Sequence, residues 1–320
     1  MPDTLFQGHI DVFLSTYAQQ FRNLMFLGDT LFPRVPSGRQ ADKYAIFGRE
    51  HMQMDGVDTR APGAAARQIV QSLADAPFHC PDHSLAWIIH DEEVPATQLP
   101  TMQDPRQRKT RVAEEGLLLN HDIRVAALMA TAANYPTGNK VQLSSTDQWD
   151  ESLEAASNPQ EDVETAKLAI LTKMGVMPNT MVLGPLVAKA LKFHAKLLAK
   201  VDPNKVGTVT LDDLKAVFEI PNIYVWNTLK RSAAGVNSFV FPNHAWVGYI
   251  QPGASVEDLT FGKTFEWVSA PGSVGGHRVE VGRAGMPSQL AEEGSNHWWH
   301  DEKIVAPEAG YLIEDAVDAS

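Results

Sequence analysis

The chain has 320 residues, 44% hydrophobic and 21% charged, a balance that excludes a wholly disordered, collagen-like or coiled-coil protein and allows a substantial core. Lys and Arg total 27 against 39 Asp and Glu; the net charge of −12 disfavours tight sequence-independent nucleic-acid binding and makes copies repel unless opposite charges meet locally. Cys80 is the single cysteine, which excludes an internal disulfide and any zinc site needing two thiolates from one chain.

Asp3, His9 and Asp11 interrupt the first segment where a secretory leader needs an apolar core, and the longest apolar runs fall far short of the roughly 20 residues that span a bilayer. The expectation is a protein made and used in a cytoplasm, without a membrane partner. Phe6, Ile10, Phe13, Tyr17, Phe21 and Leu24 recur at spacings of three and four, which predicts a helix ending near Gly28. Two prolines in Leu31-Phe32-Pro33-Arg34-Val35-Pro36 fix φ and remove donors, so the chain runs extended and residues 1–42 read as an arm. Lys43–Phe47 predicts a short strand, and Ile69–Glu93 holds further strand patches, including Ala86–His90. Between them, Arg49–Arg67 reads as a long projecting loop.

Asp104 caps a helix with Pro105 at its first position. It is expected to run to Asn134, a rod of roughly 45 Å, with Val112, Leu119, Ile123, Ala126 and Ala130 on its buried face and Gly116 as its weak point. After a polar boundary at Ser144–Asn158, Asn158-Pro159-Gln160-Glu161 opens a second helix, with Val163, Ala166, Ile170 and Met174 on one stripe and Gly175 as its stop. Thr180–Leu183 reads as a strand, Leu186–Leu198 and Thr210–Phe218 as helices, and Ile223–Trp226 and Ala245–Ile250 as strands, forming a compact α/β unit. Phe261–Val268 and Arg278–Val281 are further strands, with Gly272–Gly276 as a hairpin turn.

His79-Cys80-Pro81-Asp82-His83 sets three zinc-type ligands in five residues, yet neighbours this close meet one ion only through a tight turn, and no HExxH or CxxC accompanies them. Cys80 beside these histidines is also a thiol-nucleophile pattern, but it needs a histidine and an orienting group nearby in space, and His79 and His83 are close only in sequence. His297-Trp298-Trp299-His300-Asp301-Glu302 brings two histidines and two carboxylates together; they share a face on a helix and oppose one another on a strand, and the indoles favour packing. Gly262-Lys263-Thr264 has Glu257 where a phosphate loop needs glycine, Gly272–Gly276 lacks the dinucleotide spacing, and Asp91-Glu92-Glu93 reads as a solvated edge. No catalytic, cofactor-binding or metal residue is assigned, and no cofactor is expected.

An arm, a projecting loop and a solitary long helix expose surface that another chain must cover. Leu31–Pro36 with Lys43-Tyr44, Thr59-Arg60-Ala61-Pro62-Gly63, Asp91-Glu92-Glu93, Ala133-Asn134-Tyr135 with Gly138-Asn139-Lys140-Val141, Asp147-Gln148-Trp149 and Met177–Gly184 form an ordered set between about residues 20 and 270. On these motifs the sequence resembles the major capsid proteins of tailed bacteriophages with the Hong Kong 97-type fold.

The resemblance implies an α+β fold with an N-terminal arm (1–42) reaching a neighbouring subunit and an extended loop (43–95) lying across the next, its tip near Gly56–Gly63. It implies a peripheral domain (96–149) with a spine helix over 104–134, an axial domain (150–258), and a return to the peripheral domain over 259–320. The implied function is not enzymatic: hexamers and pentamers assemble in the host bacterial cytoplasm into an icosahedral head, the capsid of the virion, that encloses double-stranded DNA. The implied partners are copies of the chain, a portal, scaffold or decoration proteins, and packaged DNA through weak non-specific contact. Two alternatives stay open: an encapsulin-like compartment, and a metal- or thiol-dependent hydrolase using His79, Cys80 and His83.

Overall fold

A computed structural model describes residues 9–20, 26–46, 62–63, 65, 74–92, 104–150, 156–201, 207–231, 235–253, 255–283 and 290–318. The chain begins with β1 (His9–Ile10) and α1 (Val12–Gln20), then α2 (Gly28–Leu31), β2 (Arg34–Ser37), a ribbon of β3 (Ala41–Ile46) with β4 (Ala74–His79), and β5 (Asp82–His90). The long helix α3 (Pro105–Ala130) leads to β6 (Lys140–Gln142), α4 (Pro159–Met174), β7 (Thr180–Leu183), α5 (Pro185–Phe193), α6 (Ala195–Val201) and α7 (Leu211–Phe218). Then follow β8 (Asn222–Val225), β9 (Leu229–Arg231), β10 (Asn237–Phe239), β11 (Ala245–Gly248), β12 (Gly262–Trp267), β13 (His277–Arg283), β14 (Ala291–Ile304) and β15 (Gly310–Glu314). Among the described residues no helix is long and apolar enough to cross a membrane.

A six-stranded sheet is built on the fourteen-residue β14, in the order β1-β13-β14-β12-β2, with β5 also paired to β14. β1 and β2, both from the N-terminal segment, cover the outer edges of β13 and β12. α1 is not the predicted stripe. Asp11 caps it by accepting from Leu14 N at 3.0 Å, and Leu14, Ser15 and Ala18 face the sheet while Phe13 is 66% exposed. Gly28 opens α2 instead of closing a helix, and Phe6, Phe21 and Leu24 lie outside the described residues. The described part of the predicted projecting loop is only Pro62, Gly63 and Ala65; the rest of Arg49–Arg67 is outside too.

α3 starts as the sequence predicts, with the Asp104 side chain accepting from Arg106 N at 2.9 Å, and ends at Ala130, followed by a 3-10 turn at Ala132–Asn134. Its buried face differs from the predicted one. Ala113, Leu117, Leu118, Val125 and Met129 are buried together with Thr110, Glu114, His121 and Asp122; of the predicted residues Ala126 is buried, Leu119, Ile123 and Ala130 are half-buried, and Val112 is 59% exposed. Four polar residues on the inner face pull the apolar periodicity away from the true contact stripe. Gly116 marks the close approach to the sheet, because a Cβ there would lie 2.7 Å from Leu85 Cδ1.

The second sheet has the order β6-β15-β11-β7-β8. Its strands alternate: Met181, Leu183, Ala245, Val247 and Ile313 face a core under α4 to α7, and Val182, Trp246 and Leu312 face a second core shared with α3, Phe32 and Phe261. The α4 stripe of Val163, Ala166, Ile170 and Met174 is buried as predicted, and Gly175, at φ 69°, ends the helix. The single helix expected over Leu186–Leu198 is two, because His194 turns inward to meet Ser157 Oγ at 3.2 Å.

The hairpin turn expected at Gly272–Gly276 is present, closed by Val274 N donating to His277 O at 2.7 Å and His277 N to Val274 O at 3.1 Å, although β14 lies between β12 and β13 in the sheet. Strand pairing corrects a further expectation: the C-terminal segment does not stay as one piece with 259–304, since β15 pairs with β11 and β6, and Trp149, ahead of residue 150, is buried in the same core.

Candidate functional site

The five-residue cluster at the β4–β5 turn splits apart. His79 is exposed, and its backbone N–H donates to Asp301 Oδ2 at 3.0 Å. Cys80 is fully buried, its Sγ donates to Phe265 O at 3.4 Å, and burial with nearby Asp301 pushes the thiol up to about 12, so no thiolate forms at neutral pH. His83 points to the α3 side of the sheet and meets His300 ring to ring at 4.4 Å, tilted by 45°. The hydrolase alternative therefore loses its converged site. Among the described residues no group of three or more His, Cys, Asp and Glu side chains is arranged to hold a metal ion.

The other motifs are also absorbed by the fold. Gly262-Lys263-Thr264 lies within β12; Lys263 is buried with Nζ donating to Val256 O at 2.8 Å, and burial lowers it to about 8. Asp91 pairs with Arg283 at 3.1 Å, Glu92 is exposed, and Glu93 is outside the described residues. The His297–Glu302 run is strand, so His297, Trp299 and Asp301 face one side and Trp298, His300 and Glu302 face α3.

On the side away from α3 the fold makes a chain that the sequence did not suggest. Ser295 Oγ lies 2.9 Å from His297 Nε2, and His297 Nδ1 lies 2.8 Å from Asp82 Oδ2. A carboxylate only accepts, so Nδ1 carries the hydrogen and Nε2 accepts from the serine hydroxyl, the order of a Ser-His-Asp triad. Yet β14 is paired on both sides here, which engages its backbone N–H groups, and Arg278, the cross-strand neighbour of His297, is held by Glu280 at 2.6 Å, beside Ser295. The backbone donors that an oxyanion hole uses are therefore taken up by the sheet. The arrangement ties β5 to β14, and its residues, 215 positions apart, left no local signal.

Beneath α3 lies a buried ionic layer centred on Trp298. The indole Nε1 donates to Glu266 Oε1 at 2.6 Å, the Arg34 guanidinium sits 4.4 Å above the ring, and the rings of His277 and His300 stack at 5.1 and 3.7 Å. Asp29 holds Arg34 with two bonds of 2.7 Å. His277 lies 3.5 Å from Glu114 and 3.4 Å from Glu266. Burial alone would lower it, but the hydrogen bonds and charges of these carboxylates hold it above the ordinary value. Glu302 binds Arg124 Nε at 3.0 Å.

The outer surface is apolar in places where a single chain offers no cover. A groove of about 460 Å³ lies between α3 and residues 227–229, lined by Phe26, Val112, Gly116, Leu119 and Leu229 among others. On the second unit, Leu168 and Leu171 project from α4 and Phe193 from α5. Patches of this kind mark association surfaces.

Residues 134–250 match the family model of phage major capsid protein E. The chain is 32% identical over 216 residues, 68% of its own length and 68% of the relative's, to a major capsid protein of Burkholderia phage BcepMu. It is 27% identical over 331 residues, 97% of this chain and 98% of the relative, to a major capsid protein of Pseudomonas phage JBD67. The crystal structure of a phage-related protein from Bordetella bronchiseptica RB50 superposes with a TM-score of 0.80 at 28% identity, covering 98% of this chain and 99% of that one. The likeness thus extends through the N-terminal segment and the last strands, and the identity to the Burkholderia phage protein is high enough to establish kinship: this chain belongs to the major capsid proteins of tailed bacteriophages, and its α+β fold is of the Hong Kong 97 type.

Proposed function

We propose that the chain works as the purely structural unit of a phage head, joining through hexamers and pentamers into an icosahedral shell around double-stranded DNA. The observation that carries this reading is the unpartnered apolar surface on both units, Val112 and Leu229 beside α3 and Leu168 and Leu171 on α4, which copies of the chain would cover. In this reading α3 is the spine of a peripheral domain with the six-stranded sheet, and the five-stranded sheet with α4 to α7 is the axial domain whose loops meet at capsomer axes. The β3–β4 ribbon is the root of the extended loop, and the N-terminal arm supplies further intersubunit contact.

Association of many copies multiplies a modest energy per contact, so weak surfaces suffice. The acidic chain fits DNA held by confinement and weak non-specific contact better than DNA held by a basic lining. A portal and scaffold or decoration proteins complete the proposed partners, and assembly takes place in the host bacterial cytoplasm. A non-catalytic role is supported by the buried Cys80 thiol and by the strand pairing that engages the backbone on both sides of Ser295.

Negative-stain electron microscopy with light scattering on the purified protein tests this. Closed shells, or rings of five and six, are expected as concentration rises. A persistent monomer at every concentration would reject self-assembly by this chain.

A further inference from the structure

The ionic layer under α3 contains imidazoles for which shell building has no use. His121 on α3, His83 on β5 and His300 on β14 bring their rings to 4.4 Å (His83 to His300) and 5.4 Å (His121 to His300). Each packed element adds a charge around them. α3 contributes Arg124 and Glu114, the N-terminal segment contributes Arg34 with Asp29, β12 contributes Glu266, β13 contributes His277, β14 contributes Glu302, and β5 contributes Asp82 beside His83.

Hydrogen positions in this layer follow from the partners. Arg124 Nη2 donates to His300 Nε2 at 2.5 Å, so a proton on that nitrogen would set donor against donor, and Glu302 Oε1, 3.2 Å from the same nitrogen, already accepts from Arg124 Nε. Thr264 Oγ1 donates to Phe32 O at 3.1 Å and therefore accepts from His121 Nε2 at 3.0 Å. A second proton on His121 would sit on Nδ1, which is packed against Gly28. The carboxylates that could welcome new charge are already engaged: Glu302 by Arg124, Glu266 by Trp298 and His277, and Asp29 by Arg34.

We propose that this layer is an acid-release seam: protonation of His300, His121 and His83 lifts α3, together with the β2 segment that Arg34 anchors, from the six-stranded sheet while the five-stranded unit stays folded. Among the described residues the five-stranded unit holds two imidazoles that burial lowers, His194 and His244, each with its own partner, Ser157 Oγ and the Asp315 backbone N–H, in place of a cluster of three.

The direction follows from burial. Burial lowers His121 to about 3, and it lowers His300 well below the ordinary value with His83, Arg124, Arg34 and His277 adding repulsion. Burial and Arg124 lower His83, against Glu302 and Asp82, which raise it. In the open state each returns to about 6.5. Closure is therefore fully supported above that value and is lost as pH falls below it, by up to about tenfold per pH unit for each imidazole until it titrates in the closed state. His277 acts in the opposite sense, and its contribution is lost on the alkaline side as pH rises through its raised value.

Hydrogen exchange of the full chain in its unassembled form, read as protection factors between about pH 7 and pH 5, tests the seam independently of shell formation. Protection is expected to fall in α3 over 117–129 and in β14 over 296–304, with β7 and β11 unchanged. His300→Gln, whose amide oxygen can still accept from Arg124 and which takes no proton, is expected to move the midpoint down by about half a pH unit or more, while His194→Gln leaves it in place. Equal loss in both sheets, or an unmoved midpoint in a folded His300→Gln protein, overturns the proposal. Should that variant fail to fold, the regional comparison in the unmodified protein still decides.

Discussion

Asp122 shows how much one buried carboxylate holds in this chain. Its Oδ1 accepts from the backbone N–H of Leu27 at 3.0 Å and of Gly28 at 2.7 Å, and its Oδ2 accepts from the Trp226 indole at 2.7 Å. The side chain thereby fixes the start of α2 and the end of β8 on α3. Asp122→Ala would leave three buried donors without acceptors, a loss of about 3 to 5 kcal/mol. Urea unfolding of the soluble protein measures it, and Asp122→Asn, which keeps one accepting oxygen, should recover only part. A loss below about 1 kcal/mol would mean that water replaces the carboxylate. Sequence reading passed over this residue because a charged side chain inside a helix ordinarily faces solvent, and the partners that bury it lie 94 to 104 positions away.

At the scale of elements, legibility followed local chemistry. α4 was readable in full because its buried stripe is apolar except for Lys167, and proline and glycine mark its ends. α3 was readable in extent but not in orientation, since Thr110, Glu114, His121 and Asp122 occupy the inner face. β14, the longest strand, was unreadable for the same reason: its inward positions are Asn296, Trp298, His300 and Glu302, which show no alternation of apolar and polar. The residues near His79 and His297 were assigned no role from sequence, and the links that the fold makes among Ser295, His297 and Asp82 need strand pairing to appear. The corrected face of α3 has a direct test. Val125→Asp puts an unpaired charge at a fully buried position and should cost about 4 kcal/mol, whereas Ile123→Asp at the half-buried edge should cost about half as much. Comparison of denaturant midpoints at equal m decides; equal losses would return the helix to the face predicted from sequence.

For the whole molecule the difficulty is charge. Each copy carries −12, and a shell brings many copies within a few ångströms of one another, so long-range repulsion opposes the apolar contacts that assembly needs. Screening alters the two contributions differently. The Debye length falls from roughly 10 Å at 0.1 M salt to about 3 Å at 1 M, which weakens repulsion between exposed charges but leaves burial of Leu168, Leu171 or Val112 intact. The concentration at which scattering first rises should therefore drop several-fold as sodium chloride is raised from about 0.05 to 0.5 M. The opposite result, assembly favoured by low salt, would mean that ion pairs between copies outweigh net repulsion, and the contacts would then be sought at exposed charges such as Arg39, Lys43 and Arg283 instead of the apolar patches. Because the histidine seam opens with acid and not with salt, varying the two separately distinguishes a change in how copies meet from a change within each copy.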